Sequence, residues 1–588
     1  MVTWPRTPAV LAVLAACIAL ISAQDVPVVR IPQGELRPTL MTSAFDNHTI
    51  YAFLGIPYGR VAARFARAEP AGAWEGVRDA TVDGAECPQW DPAAGRALGS
   101  EDCLFVNVYT RKLPPANPTV PLVFLHGGDW LAGSSSSRWY GPRYWLDHDV
   151  LLVTVNYRLG AFGFLSTGDA EAPGNQGLWD QRLALQWIDD NIQFFGGLRS
   201  HTTIMGEGSG GASVHLLQLS PTAKNLFERA ISQSGTALCP GALVPESIES
   251  TTELAERLAC PTAPSSAMVA CLREVSEEEI CRATAHMSSR LSSAAPFGPV
   301  VDGFAAEPFL PLPPSQLMEA NNFRHCPWVV GINRDEGADL AYSLLTSPER
   351  LEKLNNNFAE VAPQLLRLTR STNDPRAVSE QIRKHYFGNQ PIGDATAAQL
   401  VELLTDRMFL HCTEQAAHWH SFYSTHKVFV YQWNLQGRVR FRDLQQQKTQ
   451  QPGDDPDHWH PGNPRFARRG GSAHELGVSQ KDELLLMFSN DFTPLFDRDD
   501  PLVTELRQIL NMWVTFAKAG DPTPDLAGEG IALWREIWEH YLPLDEHYLV
   551  IDREWTTVHE LRSKAIQFWD SLGLNENVFK HKIVRDEL

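Results

Sequence analysis

Three short runs, Pro121–Leu125 (PLVFL), Val150–Asn156 (VLLVTVN) and Thr202–Met205 (TTIM), are too continuously apolar and β-branched to alternate between a wet and a dry face. Strands of this kind belong in a sheet buried on both sides, and that restricts the chain to an α/β layering. Asp180–Phe195 (DQRLALQWIDDNIQFF) spaces its apolar residues as a helix does. The third strand runs into a glycine-rich turn, and a helix follows through Ala212–Leu219. Strand and helix alternating in this way predict a sheet covered by helices on both faces. No internal repeat interrupts the pattern.

The chain has 588 residues, 43% of them hydrophobic, enough for one large core. The formal charge of −20 argues against nucleic acid as a partner, because that affinity comes mostly from Lys and Arg. An acidic balance also serves solubility alone.

The first 23 residues read as a signal peptide. Arg6 supplies the positive start, Ala9–Ile21 the apolar run, and Ala23 a small residue before Gln24. A membrane anchor is the alternative, but the run is shorter than the roughly 18–20 residues that cross a bilayer. No later segment of the sequence is long and apolar enough to span. Nine cysteines are present, and Cys17 falls within the leader. The remaining eight would meet an oxidising compartment, where disulfides form. Asn47-His48-Thr49 is the usable glycosylation sequon; Pro118 disqualifies Asn117.

Arg438–Arg469 is polar and reads as a long exposed loop, and the residues from 576 onward read as a tail. His418-Trp419-His420 and Asp454–His460 contain metal-ligating side chains, but neither has a full zinc spacing. No metal and no cofactor is therefore expected.

Several segments resemble the carboxylesterase type B and cholinesterase family. They are FLGIPYG at Phe53–Gly59, SEDCLFVNVY at Ser100–Tyr109, HGGDW at His126–Trp130 and NYRLGAFGFLS at Asn156–Ser166. GNQGLWDQRLALQWIDDNIQFFGG at Gly174–Gly197 is the longest, followed by FGPVVDG at Phe297–Gly303, GINRDEG at Gly331–Gly337 and FAKAGDPTP at Phe516–Pro524. The resemblance covers roughly residues 26–570. It implies a single α/β-hydrolase domain, placed at residues 24–575, with a mostly parallel sheet and a deep gorge. It also implies disulfides Cys87–Cys103 and Cys260–Cys271, and leaves Cys239, Cys281, Cys326 and Cys412 unassigned.

In this fold the nucleophile occupies the middle of a G-x-S-x-G turn between strand and helix. This chain has Gly206-Glu207-Gly208-Ser209-Gly210, with glycine in the middle. Ser209 is one residue late. A shift of one residue turns a side chain by about 100° at helical geometry, away from a base. Glycine at this place also relieves an elbow that costs other residues about 1–3 kcal/mol. The triad acid corresponds to Glu336, which without a base would serve to cap a turn. The base position in Gly477-Val478-Ser479-Gln480-Lys481-Asp482-Glu483-Leu484 is Gln480. A neutral amide cannot take a proton from a hydroxyl. His474, six residues upstream, is a possible substitute. The oxyanion-hole positions are Gly128, Asp129 and Ser209. The Asp129 carboxylate either opposes the developing oxyanion or turns to solvent.

Three altered stations predict near-zero hydrolysis, since losing the nucleophile or the base costs about 10⁶ in rate and further losses add little. The last residues, Arg585-Asp586-Glu587-Leu588, resemble a K-D-E-L retrieval signal and predict capture by the ER retrieval receptor. The leading expectation is a non-catalytic protein of the ER lumen that binds a protein partner or small ligand, in the manner of non-catalytic relatives such as neuroligins and glutactin. A folding or assembly factor suits that address. The alternatives are a weak luminal ester hydrolase with a rearranged triad and, for the address, secretion.

Overall fold

A computed structural model describes residues 26–92, 94–114, 116–287, 295–444, 476–524 and 536–575. The leader, the 454–460 loop, His474 and the Arg585–Leu588 tetrapeptide lie outside the described residues.

One sheet of 13 strands organises the molecule. In chain order these are β1 (Val29–Ile31), β2 (Gly34–Thr42), β3 (Thr49–Pro57), β4 (Val77–Ala80), β5 (Phe105–Thr110), β6 (Pro121–Leu125) and β7 (Leu151–Val155). They continue with β8 (Thr203–Glu207), β9 (Arg229–Gln233), β10 (Trp328–Asn333), β11 (Val428–Trp433), β12 (His547–Ile551) and β13 (Thr556–His559). The spatial order is β1-β2-β3-β5-β7-β6-β8-β9-β10-β11-β12-β13, with β4 paired to β2. From β7 to β12 every neighbouring pair is parallel. Antiparallel strands extend both sides. This is the α/β-hydrolase arrangement that the motifs implied, built as one domain.

The three apolar runs are β6, β7 and β8, buried along their whole length. Their side chains alternate between two cores, as a period of two requires. Val123, Leu125, Val153, Ile204 and Val330 pack on one face. Leu122, Phe124, Leu152, Met205 and Val329 pack on the other. Parallel strands need crossovers, and helices supply them. The helices that matter here are α1 (Gln176–Asn191), α2 (Ser209–Leu219), α3 (His411–Tyr423) and α4 (Leu502–Ala519).

Two helix boundaries differ from the sequence reading. α1 starts at Gln176, four residues before Asp180, because Asn175 turns the chain at φ 62°. The Asn175 side chain is clamped to both backbone groups of Val300. α2 starts at Ser209, immediately behind the turn, ahead of Ala212. Arg158 and Asp180, from the two longest motifs, form a buried bidentate pair at 2.7 Å that pins α1 beneath the sheet.

Cys87–Cys103 and Cys260–Cys271 are disulfides, as the resemblance implied. A third, Cys239–Cys412, ties the segment after β9 to α3. Cys281 and Cys326 are free and buried, and burial pushes both thiols up to about 12.

Candidate functional site

In open parallel sheets, sites form outside the carboxyl ends of the strands. Gly127–Asp129 follow β6, Gly208 follows β8 and Glu336 follows β10. The stretch 476–483 returns to the same edge from beyond β11.

Gly208 has φ 57° and ψ −120°, a backbone that L side chains rarely adopt. The shape is imposed by its surroundings. The Gly208 N–H donates to the Gln233 carbonyl at 2.8 Å, and its own carbonyl accepts from Ala212 at 2.9 Å. Gly210 seats the turn against β6, since a Cβ there would lie 2.1 Å from the Leu125 carbonyl oxygen. The sharp strand–turn–helix elbow is therefore intact, but it carries no side chain. A Cβ built on Gly208 would meet Gln480 Nε2 at 2.7 Å. The nucleophile and base positions read from the sequence thus face each other, with an amide filling the space before a hydrogen.

Gln480 is held by a docked turn. Val478 N–H donates to Asp335 Oδ2 at 2.9 Å, and Asp335 N–H donates to the Val478 carbonyl at 3.0 Å. Asp482 accepts from the N–H groups of Ser479 and Phe441. Lys481, at φ 71°, lays its ammonium over the Phe441 ring.

Glu336 is buried, and Oε1 accepts from the Asn333 N–H at 2.7 Å. That bond closes the turn after β10. The Asn333 side-chain amide donates to Ser479 O at 2.7 Å and to Glu483 Oε2. Three buried carboxyl groups, Glu207, Glu336 and Glu483, thereby gather around the elbow. Burial raises Glu207 to about 7, with Lys481 and Gln480 holding it back and Asp129 pushing it further. Glu483 rises to about 8, first through burial and then through the Glu207 charge. Glu336 is pushed well above the carboxylate range by burial and by Glu483. Gln480 itself, a neutral amide, provides no base for a hydroxyl.

Ser209 opens α2 and is buried. Its Oγ accepts from the Trp130 N–H at 3.4 Å. Asp129 is exposed, at φ 55°. Burial pushes the Arg367 guanidinium down, and the Asp129 charge partly offsets that. The Asp129 side chain is exposed, and its charge still acts on Glu207. Gly128 accepts at its carbonyl from Leu131 and Ala132, which sets the bend of the loop. His126 lies behind this loop, stacked on Tyr157, and burial lowers it to about 4.

Asn47 is exposed on the turn between β2 and β3. The expectation of no metal has to be set beside two groups of candidate ligands among the described residues. His418 stands with Glu414 and Glu546, whereas His420 Nε2 is bonded to Gln218. The other group is Asp545, His547 and His559. Sequence reasoning missed Glu207 and Glu483. Their signal was a charge inside an apolar stretch, at the end of β8 and just before Leu484–Met487 (LLLM).

The carboxylesterase family model matches residues 25–569. Esterase FE4 of Myzus persicae is 34% identical over 86% of this chain and 86% of its own. Juvenile hormone esterase of Tribolium castaneum is 32% identical over 82% of this chain and 81% of its own. A cocaine esterase of Oryctolagus cuniculus is 31% identical over 91% of this chain and 94% of its own. With this sheet and elbow, and with a family match running through both, the chain belongs to the carboxylesterase family.

Proposed function

We propose that this protein is a non-hydrolytic carboxylesterase-family member of the ER lumen that works by binding a protein partner or a small ligand. A single observation carries the reading. The elbow that presents a nucleophile presents Gly208, and the place of its base is taken by an amide in contact range. Acyl transfer needs a nucleophile and a proton acceptor together. Gly208 has no side chain to attack with, and the Gln480 amide cannot take up a proton.

The luminal address rests on the apolar run Ala9–Ile21 and on Arg585–Leu588. Among the described residues no helix is long and apolar enough to cross a membrane. The purified protein is expected to resist a fluorophosphonate probe and to turn over short-chain aryl esters no faster than a heat-killed control.

A second reading is supported by the esterase names of the relatives. In it Ser209, with His474 as base, gives slow ester hydrolysis. Probe labelling that disappears in Ser209→Ala would establish this reading and sink the first.

A further inference from the structure

We propose that Asp545, His547 and His559 form a zinc site, with Glu539 as the fourth ligand, at the edge of the sheet far along the chain from the elbow. His547 opens β12 and His559 closes β13, and the antiparallel register places them opposite each other. Their ring centroids are 4.5 Å apart. Asp545 points one oxygen at both rings: Oδ1 is 3.2 Å from His559 Nδ1 and 3.7 Å from His547 Nε2. Glu539 Oε2 lies 3.1 Å from the same His547 Nε2.

These three separations are close to the edges of a coordination polyhedron, and the exposed Glu539 side chain, 3.1 Å from His547 Nε2 but outside the mutually close group, has to rotate in to complete it. Zinc bound at about 2.0 Å to nitrogen and oxygen in a tetrahedron sets its ligand atoms about 3.3 Å apart. Ligand atoms from Asp545, His547 and His559 all fall within 4.8 Å of one another. Charge points the same way. Two neutral imidazoles and two carboxylates neutralise a divalent cation. A single imidazole N–H gives two facing carboxylates one proton between them.

The group is built into the backbone. Leu542 and Asp545 form a two-way bridge, and the His547 N–H donates to the Asp545 carbonyl at 3.0 Å. Glu539 follows Trp538, which is buried and donates to the Val430 carbonyl at 3.1 Å. The His547 side chain is only 9% exposed, and its Nδ1 is buried without a partner. The Asp545, Glu539 and His559 side chains are each more than half exposed, which leaves a path for the ion. A cavity of about 300 Å³ lined by Lys427, Trp538, Glu539, His540, Asp545 and His547 opens beside them. The neighbouring Glu414, His418 and Glu546 bring one imidazole only. Bound zinc would fasten the 539–545 turn to the β12–β13 hairpin.

The test uses the full chain, stripped with chelator and titrated with zinc. Wild type, His559→Ala, Asp545→Asn and a control at an exposed histidine, His426→Ala, are compared by calorimetry, bound-metal analysis and melting. Wild type and the control should take up one more zinc per chain than the two site variants, or bind it at least tenfold more tightly. Zinc should raise the melting temperature of the first pair alone, and cobalt in its place should give a tetrahedral visible spectrum. Equal uptake and affinity in all four proteins, or no uptake by the wild type, overturns the site. Neither result bears on the elbow.

Discussion

On the proposed reading Gly208 is where the nucleophile is missing, and a serine can be introduced there. Gly208→Ser alone has no base, and Gln480→His alone has no nucleophile. Esterase turnover is expected only when the two are combined, with Glu336 available to orient the new imidazole. Adding Asp129→Gly should raise it further, since the Asp129 charge reaches Glu207 across the oxyanion loop. Gly208→Ser should cost about 1–3 kcal/mol, because φ 57° suits glycine and the new Cβ meets Gln480 Nε2 at 2.7 Å. The cost should shrink when Gln480→Ala is present, as the close contact then disappears. Turnover and melting temperature across the series check both statements, and an inert but folded double variant would count against this placement of the base.

The buried acids give a second expectation at the same scale. Glu207 and Glu483 have folded-state values of about 7 and about 8, above their ordinary 4.5. Between 4.5 and about 8 the folded state therefore holds more protons than the unfolded one. Their contribution to stability is present at the acidic end and is lost as pH rises through that window. Melting temperature measured from pH 5 to 8 should fall less steeply in Glu207→Gln and Glu483→Gln than in the wild type. A slope unchanged in both variants would show that other groups set it.

At the scale of elements, Cys239–Cys412 joins parts of the chain 173 residues apart. It links the segment after β9 to α3, and the helical region between β10 and β11 lies inside the closed loop. A cross-link over so long a loop restricts the unfolded chain strongly in the chain-entropy model. Cys239→Ser with Cys412→Ser is expected to lower stability by about 2–5 kcal/mol, read by denaturant unfolding. Peptide mapping under non-reducing conditions should recover Cys239 and Cys412 in one peptide pair, beside Cys87–Cys103 and Cys260–Cys271. A free thiol at Cys239 or Cys412 would contradict the pairing.

For the whole molecule the open matter is where it works. Removal of Arg585–Leu588 is expected to send the protein into the medium with its Asn47 glycan processed beyond the ER form. The comparison is between the intact and shortened chains in the same secretory cells. An intact protein equally abundant in medium and cells would remove the retrieval reading and favour secretion. The charge of −20 favours solubility and gives no electrostatic reason to expect nucleic acid at either address.

The centre of the sheet was legible because strands buried on both faces are mostly apolar. PLVFL and VLLVTVN declare β6 and β7 without help from neighbours, and TTIM declares the start of β8, which runs on through Gly206 to Glu207. The glycine in the middle of the elbow was equally plain, since a missing side chain is a local fact. Helix starts were less plain: Asn175 begins α1 through a clamp on Val300, 125 residues away. What only the tertiary structure decided was proximity. Gln480 meets the space above Gly208, and Glu483 meets Glu207, because strands β8 and β10 and the 476–483 turn end at one edge. The same holds for Cys239 with Cys412, and for His547 opposite His559 across a hairpin whose register no composition reveals. A sequence specifies which side chains exist, and the folding of distant segments onto one edge specifies which of them can act on each other.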